Sequence, residues 1–204
     1  RVAFKSVVAA RAASLLAWAA ADKSDRVGGL VFDETRHFEQ RPVARTRGLL
    51  PLLNALSGEP LPGKTGGHAG ITRAADHLVQ LVRPGSLVFV LSDFADVTRE
   101  RSAWLAQLGQ ANEVVLVHVR DPMEEIAPPP GLYPVTNGSR RGVLDTQSAI
   151  RRATWHRRFS EHLDLLEGLA QHHRAHMLRL RTDEPLGAAL SRGLRPRRAA
   201  GMGR

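Results

Sequence analysis

Apolar and polar positions along this chain change period repeatedly, and the changes outline alternating helices and strands. Over residues 5–23, Ala, Leu and Trp18 cover most of a helical surface, which predicts a helix buried on nearly all sides. Residues 26–33 form a strand with two glycines, 33–35 a turn, and 36–43 a more polar alternating strand, together an edge hairpin. A leucine-rich helix follows at 46–56, a Gly/Pro loop at 57–70, and a helix at 71–82 stopped by Pro84-Gly85. Residues 86–92 are an apolar strand and 97–108 a short helix. The β-branched run at 113–119 marks a strand buried on both faces. An extended Pro-rich linker at 127–131 precedes strands at 132–136 and 142–146, which flank the hairpin signal Asn137-Gly138. The longest helix spans 147–174, then a strand 177–181 and a helix 185–194.

Helices alternating with apolar strands predict an α/β, Rossmann-like fold: a mostly parallel central sheet with helices on both faces. Strands 87–91 and 114–119, joined through a helix, should lie side by side and parallel.

The sharpest chemical feature is where the 86–92 strand stops. The run Ser-Leu-Val-Phe-Val-Leu ends in Ser92-Asp93, and Phe94-Ala95-Asp96 begins a polar segment. Ligands and metals sit at the carboxyl ends of parallel strands. Asp93 there is a candidate ligand for a hard divalent cation. The same carboxylate, or that of Asp96, equally suits a cap on the next helix.

Composition narrows the class. The chain has 204 residues, enough for one domain with a sizeable core, and no cysteine. The apolar stretch at 7–21 is shorter than the ~20 residues a bilayer requires and contains Arg11. A cytoplasmic protein with no transmembrane segment in this chain is expected. The first residue is Arg1 rather than Met, so further residues are expected upstream. Net charge is +9, and five of those charges fall on Arg192, Arg195, Arg197, Arg198 and Arg204. A domain over 1–194 followed by a basic, disordered tail over 195–204 is expected. With one Tyr and no basic–aromatic interleaving, no stacking platform for single-stranded nucleic acid is visible.

Taken in order, these segments resemble a known family. The helix, the run Asp25-Arg-Val-Gly-Gly-Leu-Val-Phe, the edge strand and the leucine-rich helix lead to Ser86–Asp96. Val117-His-Val-Arg-Asp-Pro-Met-Glu124 and Gly142-Val-Leu-Asp-Thr146 follow. Over residues 3–194 the chain resembles the bacterial domain of unknown function 58 proteins. These are von Willebrand factor A-like and often encoded beside MoxR-type AAA+ ATPases. The resemblance implies a three-layer von Willebrand factor A-type domain with a metal-ion-dependent adhesion site. Such a site takes an Asp-x-Ser-x-Ser loop after the first strand, a Thr from a second loop, and an Asp that Asp93 matches. It implies a non-enzymatic interaction domain that binds proteins around Ser92, Asp93 and Asp96. The domain would act with the ATPase in assembly or metal insertion.

The chain departs from that pattern. It contains no Asp-x-Ser-x-Ser, and His68 and Ala69 stand where the Thr is expected. The resemblance places the missing loop and its central strand before Arg1, between the strands at 26–33 and 86–92. Both neighbours would then expose ladder groups, at ~1–3 kcal/mol for each one left buried and unpaired. With one ligand of three, no cofactor is expected in this chain as it stands. Mg²⁺ is possible where the upstream strand is present.

Other constellations weigh less. His172 and His176 have a zinc-compatible spacing without a third ligand; dipole partners or solvated residues are the plainer reading. His118, inside an apolar strand, is expected as a hydrogen-bonded core residue, and Glu124 and Glu125 as part of a solvated loop. Residues 58–65 match G-x-x-x-x-G-K-[ST], but they follow a helix, and Pro60 and Pro62 remove donors a phosphate cradle needs. The alternative function class is a basic nucleic-acid-associated α/β domain, with the arginines of 140–158 and 192–204 as its footprint.

Overall fold

A computed structural model describes residues 3–32, 37–44, 48–58, 70–136 and 140–194. The 33–35 turn, the P-loop-like run from residue 59, positions 65, 68 and 69, Asn137-Gly138 and the 195–204 tail lie outside the described residues.

Three strands make the parallel sheet. They are β3 (Leu87–Ser92), β4 (Glu113–Arg120) and β7 (His176–Arg181), in the order β3-β4-β7. Val88 pairs with Val114 and Ser92 with His118, and His118 in turn with Arg179. The two strands expected to be adjacent and parallel are so. β4 is central because its six positions from Val114 to Val119 are all buried, which only a strand with neighbours on both edges and cover on both faces achieves.

Alternation divides the apolar side chains between two clusters on opposite faces. On one, Val88, Val90, Val114 and Leu116 meet α3 (Gly70–Leu81), α4 (Ala103–Gly109) and α6 (Ala149–His172), with Trp104, Leu105, Leu108 and Leu166 nearly fully buried. On the other, Val115, Val117, Val119, Leu178 and Leu180 meet α1 (Lys5–Asp22) and α7 (Leu186–Gly193). Each fully buried aliphatic or aromatic side chain contributes about 1.5–3 kcal/mol.

The antiparallel strands form separate two-stranded sheets rather than extensions of one central sheet. β1 (Val27–Phe32) pairs with β2 (His37–Val43), and β5 (Leu132–Thr136) with β6 (Arg141–Asp145). The β1–β2 hairpin rests on α1 and α2 (Leu49–Ser57) through Ala17, Leu49 and Leu52. Gly28 is needed there, because a Cβ would come within 2.7 Å of the Gln40 carbonyl oxygen on β2. Among the described residues, no backbone hydrogen bond joins β1 to β3.

Two elements differ from the sequence expectation. α1 is not buried on nearly all sides: Val8, Ala12 and Ala17 are, while Leu15 and Trp18 are exposed. One helix lying on one sheet face and a hairpin has no layer beyond it to bury its outer stripe. The helix expected from 97 begins only at Ala103. Phe94 and Val97 are both drawn into the core. The chain between follows turns closed by Val97 N–H to Phe94 O and Arg101 N–H to Thr98 O.

Candidate functional site

β3 ends in a turn that aims its polar groups at the carboxyl edge. Phe94 N–H donates to Ser92 Oγ at 3.0 Å and Ala95 N–H to Asp93 Oδ1 at 3.3 Å. Phe94 has φ +53°, a conformation unusual for an aromatic residue. Its ring is buried, and its carbonyl lies 3.1 Å from His162 Nε2, so tertiary packing holds the turn. Asp93 therefore caps its own turn and not the next helix. The residue before α4 is Ser102, which makes no side-chain cap bond. Asp96 sits half-buried in the turn that follows.

A lysine meets Asp93. Lys5, the first residue of α1, donates from Nζ to Asp93 Oδ2 at 2.6 Å and also to Glu124 Oε1. Glu124 belongs to a short helix, α5 (Pro122–Glu125), and not to the solvated loop expected from the sequence. Asp121 and Glu124 form a capping box: Met123 N–H donates to Asp121 Oδ1, and Asp121 N–H to Glu124 Oε2, each at 2.9 Å. Thr182 Oγ1 donates to Asp121 Oδ2 at 2.8 Å. Trp155 Nε1 on α6 donates to the carbonyls of Met123 and Glu124, at 3.1 and 2.9 Å. Glu125 pairs with Arg120 at 3.2 Å. Neither glutamate is a free loop carboxylate. The signal for this was legible: Asp121-Pro-x-Glu124 is a capping-box sequence with Pro at the first helical position.

Burial opposes the Lys5 charge, yet the hydrogen bonds and charges of Asp93 and Glu124 outweigh it and raise the ammonium above its ordinary value. Burial likewise opposes the Asp93 charge, and Lys5, helped by Ala95 N–H, holds that carboxyl below its ordinary value. Beneath them lies His118, 3% exposed, with its ring 6.2 Å from Phe94 and 6.5 Å from Phe159. Contrary to expectation its Nδ1 has no hydrogen-bond partner. Burial first, then the charges of Arg120 and His162, push its pKa down to about 4, so His118 is neutral at neutral pH.

The described residues do not fit Mg²⁺. A hard cation requires several oxygens free to coordinate. Asp93 and Glu124 converge on the Lys5 ammonium instead, and Ser92 Oγ accepts from Phe94 N–H. No group of three or more His, Asp or Glu suited to a metal occurs among the described residues. The histidines of the α6 end separate: His172 and His173 stack edge to face at 4.7 Å, while His176 opens β7 and bonds Gly193 O at 2.8 Å.

Exposed apolar side chains neighbour the charged cluster along the chain. Phe4, beside Lys5, is 82% exposed, and Met123 and Ile126, flanking Glu124, are 59% and 70% exposed. Ile126 also lines a groove of about 410 Å³ with Pro128, Pro129, Arg152 and His156.

A family model described as "Protein of unknown function DUF58" matches residues 1–164. The chain belongs to that family. The match to DUF58 covers the Ser92-Asp93 turn, Asp121–Glu124 and most of α6, and stops short of β7 and α7. In this DUF58 chain β7 nonetheless pairs along β4 and completes the sheet. No curated protein and no solved structure matches the chain. No helix among the described residues is long and apolar enough to cross a membrane.

Proposed function

We propose that this DUF58 chain is a non-enzymatic protein-interaction domain of von Willebrand factor A type that docks a partner at its carboxyl edge. The observation that carries the reading is the exposure of Phe4, Met123 and Ile126 around an internally paired charge cluster. Apolar side chains gathered at a rim of paired polar groups are the composition of a docking surface. Ser92, Asp93 and Asp96 form the turn on one side of it. The partner class is a MoxR-type AAA+ ATPase in the cytoplasm, with a role in assembly or metal insertion.

The test is direct binding of the purified chain to a MoxR-type ATPase encoded beside its gene, followed by sedimentation or calorimetry. Met123→Asp and Ile126→Asp should each weaken binding about tenfold or more while leaving the fold intact. Absence of binding by the wild type, or binding indifferent to both substitutions, overturns the reading.

The nucleic-acid alternative is weaker, because its arginine footprint is partly spent internally. Arg151 pairs with Asp145, Arg157 with Glu161 and Arg192 with Glu184, and Arg152 caps the Thr146 and Gln147 carbonyls. Duplex-DNA affinity that falls steeply with salt would favour it.

A further inference from the structure

The carboxyl edge carries its own cation. We infer that the Lys5 ammonium is the resident cation of this edge, and that the edge is organised without a metal ion.

Three observations carry this. The first is convergence. Asp93 follows β3 and Glu124 lies in α5, and both carboxylates reach the same ammonium, Asp93 at 2.6 Å. Two carboxylates brought this close repel each other unless a cation stands between them. The second is position. Lys5 opens an 18-residue helix, the end at which the macrodipole disfavours a cation, and no acidic residue in the first turn offsets it. The α1 helix gains nothing electrostatically from a lysine there; the carboxylates do. The third is partial dehydration. The three side chains retain 31%, 38% and 37% of their exposure, so an unbalanced carboxylate pair here would be only partly solvated. Charge balance is therefore built into the covalent chain, and the same contact ties the head of α1 to the end of β3 and to α5. The inference concerns the ion that the edge uses and does not depend on which partner docks there.

The experiment compares the wild-type chain with Lys5→Met, and with Lys5→Met combined with Asp93→Asn, by thermal unfolding and by calorimetric titration with MgCl₂ and CaCl₂ at constant ionic strength. The wild type should show no divalent-dependent change in melting temperature and no binding heat. Lys5→Met should melt lower and recover part of the loss in millimolar Mg²⁺ or Ca²⁺, because its two carboxylates are then left without a counter-ion. The double variant should lose that response. Should Lys5→Met fail to fold, Lys5→Gln, whose amide still donates to the carboxylates, takes its place with the same expectation. Asp93-dependent Mg²⁺ binding by the wild type overturns the inference. So does a Lys5 variant that folds yet responds to neither ion.

Discussion

Lys5 Nζ lies 2.6 Å from Asp93 Oδ2, a contact across 88 positions of sequence that fastens the first residue of α1 to the residue after β3. Glu124 on the same ammonium makes the contact a three-element joint. The joint decides what the carboxyl edge presents. Its charges face one another, and the apolar side chains beside them face out.

The joint should show in the pH dependence of stability. Asp93 has a lowered pKa in the folded chain, so its contribution is complete above the unfolded carboxyl value and fades as pH falls through the folded one. Lys5 has a raised pKa, so its contribution is complete below the unfolded lysine value and fades as pH rises through the folded one. Asp93→Asn should therefore cost about 1 kcal/mol at neutral pH, close to a surface pair because each side chain keeps about a third of its exposure. The difference from wild type should vanish in strong acid. Urea unfolding at both pH values measures it, and a difference that is the same at both excludes the charge pair as its source.

His118 gives a slope of the same sign as Asp93, opposite to that of Lys5, on a different window. Its pKa is lowered from 6.5 to about 4, so the unfolded chain binds a proton between those values that the folded chain refuses. Stability should rise as pH increases from about 4 to about 6.5, by at most about 3 kcal/mol from this group. His118→Leu removes the titration and the unpartnered Nδ1 together. Denaturation at pH values inside and above the window should show a flattened profile, with the variant ahead of wild type on the acid side. An unchanged slope in that variant would remove His118 as the cause.

Trp155 holds α5 in place by its indole N–H. Trp155→Phe should cost about 1–2 kcal/mol, since two carbonyls lose their donor. Limited proteolysis should then cut near residues 121–127 sooner than in wild type. Equal cleavage rates would mean that the capping box alone suffices.

Hydrogen exchange should rank the strands. β4 has a ladder partner on each edge, whereas β3 has one on the β4 side alone among the described residues. The amides of Val115, Val117 and Val119 should be the slowest to exchange, and alternate amides of β3 markedly faster. Uniform protection across β3 would show that its other edge is paired in solution.

The sequence by itself determined what depends on local period and local chemistry. The β-branched run of β4 and the apolar run of β3 fixed two strands, the first buried throughout, and the helix between them made the pair parallel. Ser92-Asp93 marked where the strand must end, and the residues that carried the family resemblance fall within the span of the DUF58 match. Even the Asp121–Glu124 cap was written in four consecutive residues. Tertiary structure alone decided the partners. Nothing in the Ala-rich pattern of α1 says that its first lysine reaches Asp93 and Glu124, because periodicity fixes which face of a helix is apolar but not what stands beyond its end. Nor could an apolar strand announce that His118 would lack a partner for Nδ1, since that depends on Phe94 and Phe159 arriving from other elements. The same limit explains α1's exposed Leu15 and Trp18: amphipathicity records what a helix can bury, while the number of layers around it decides what it does bury.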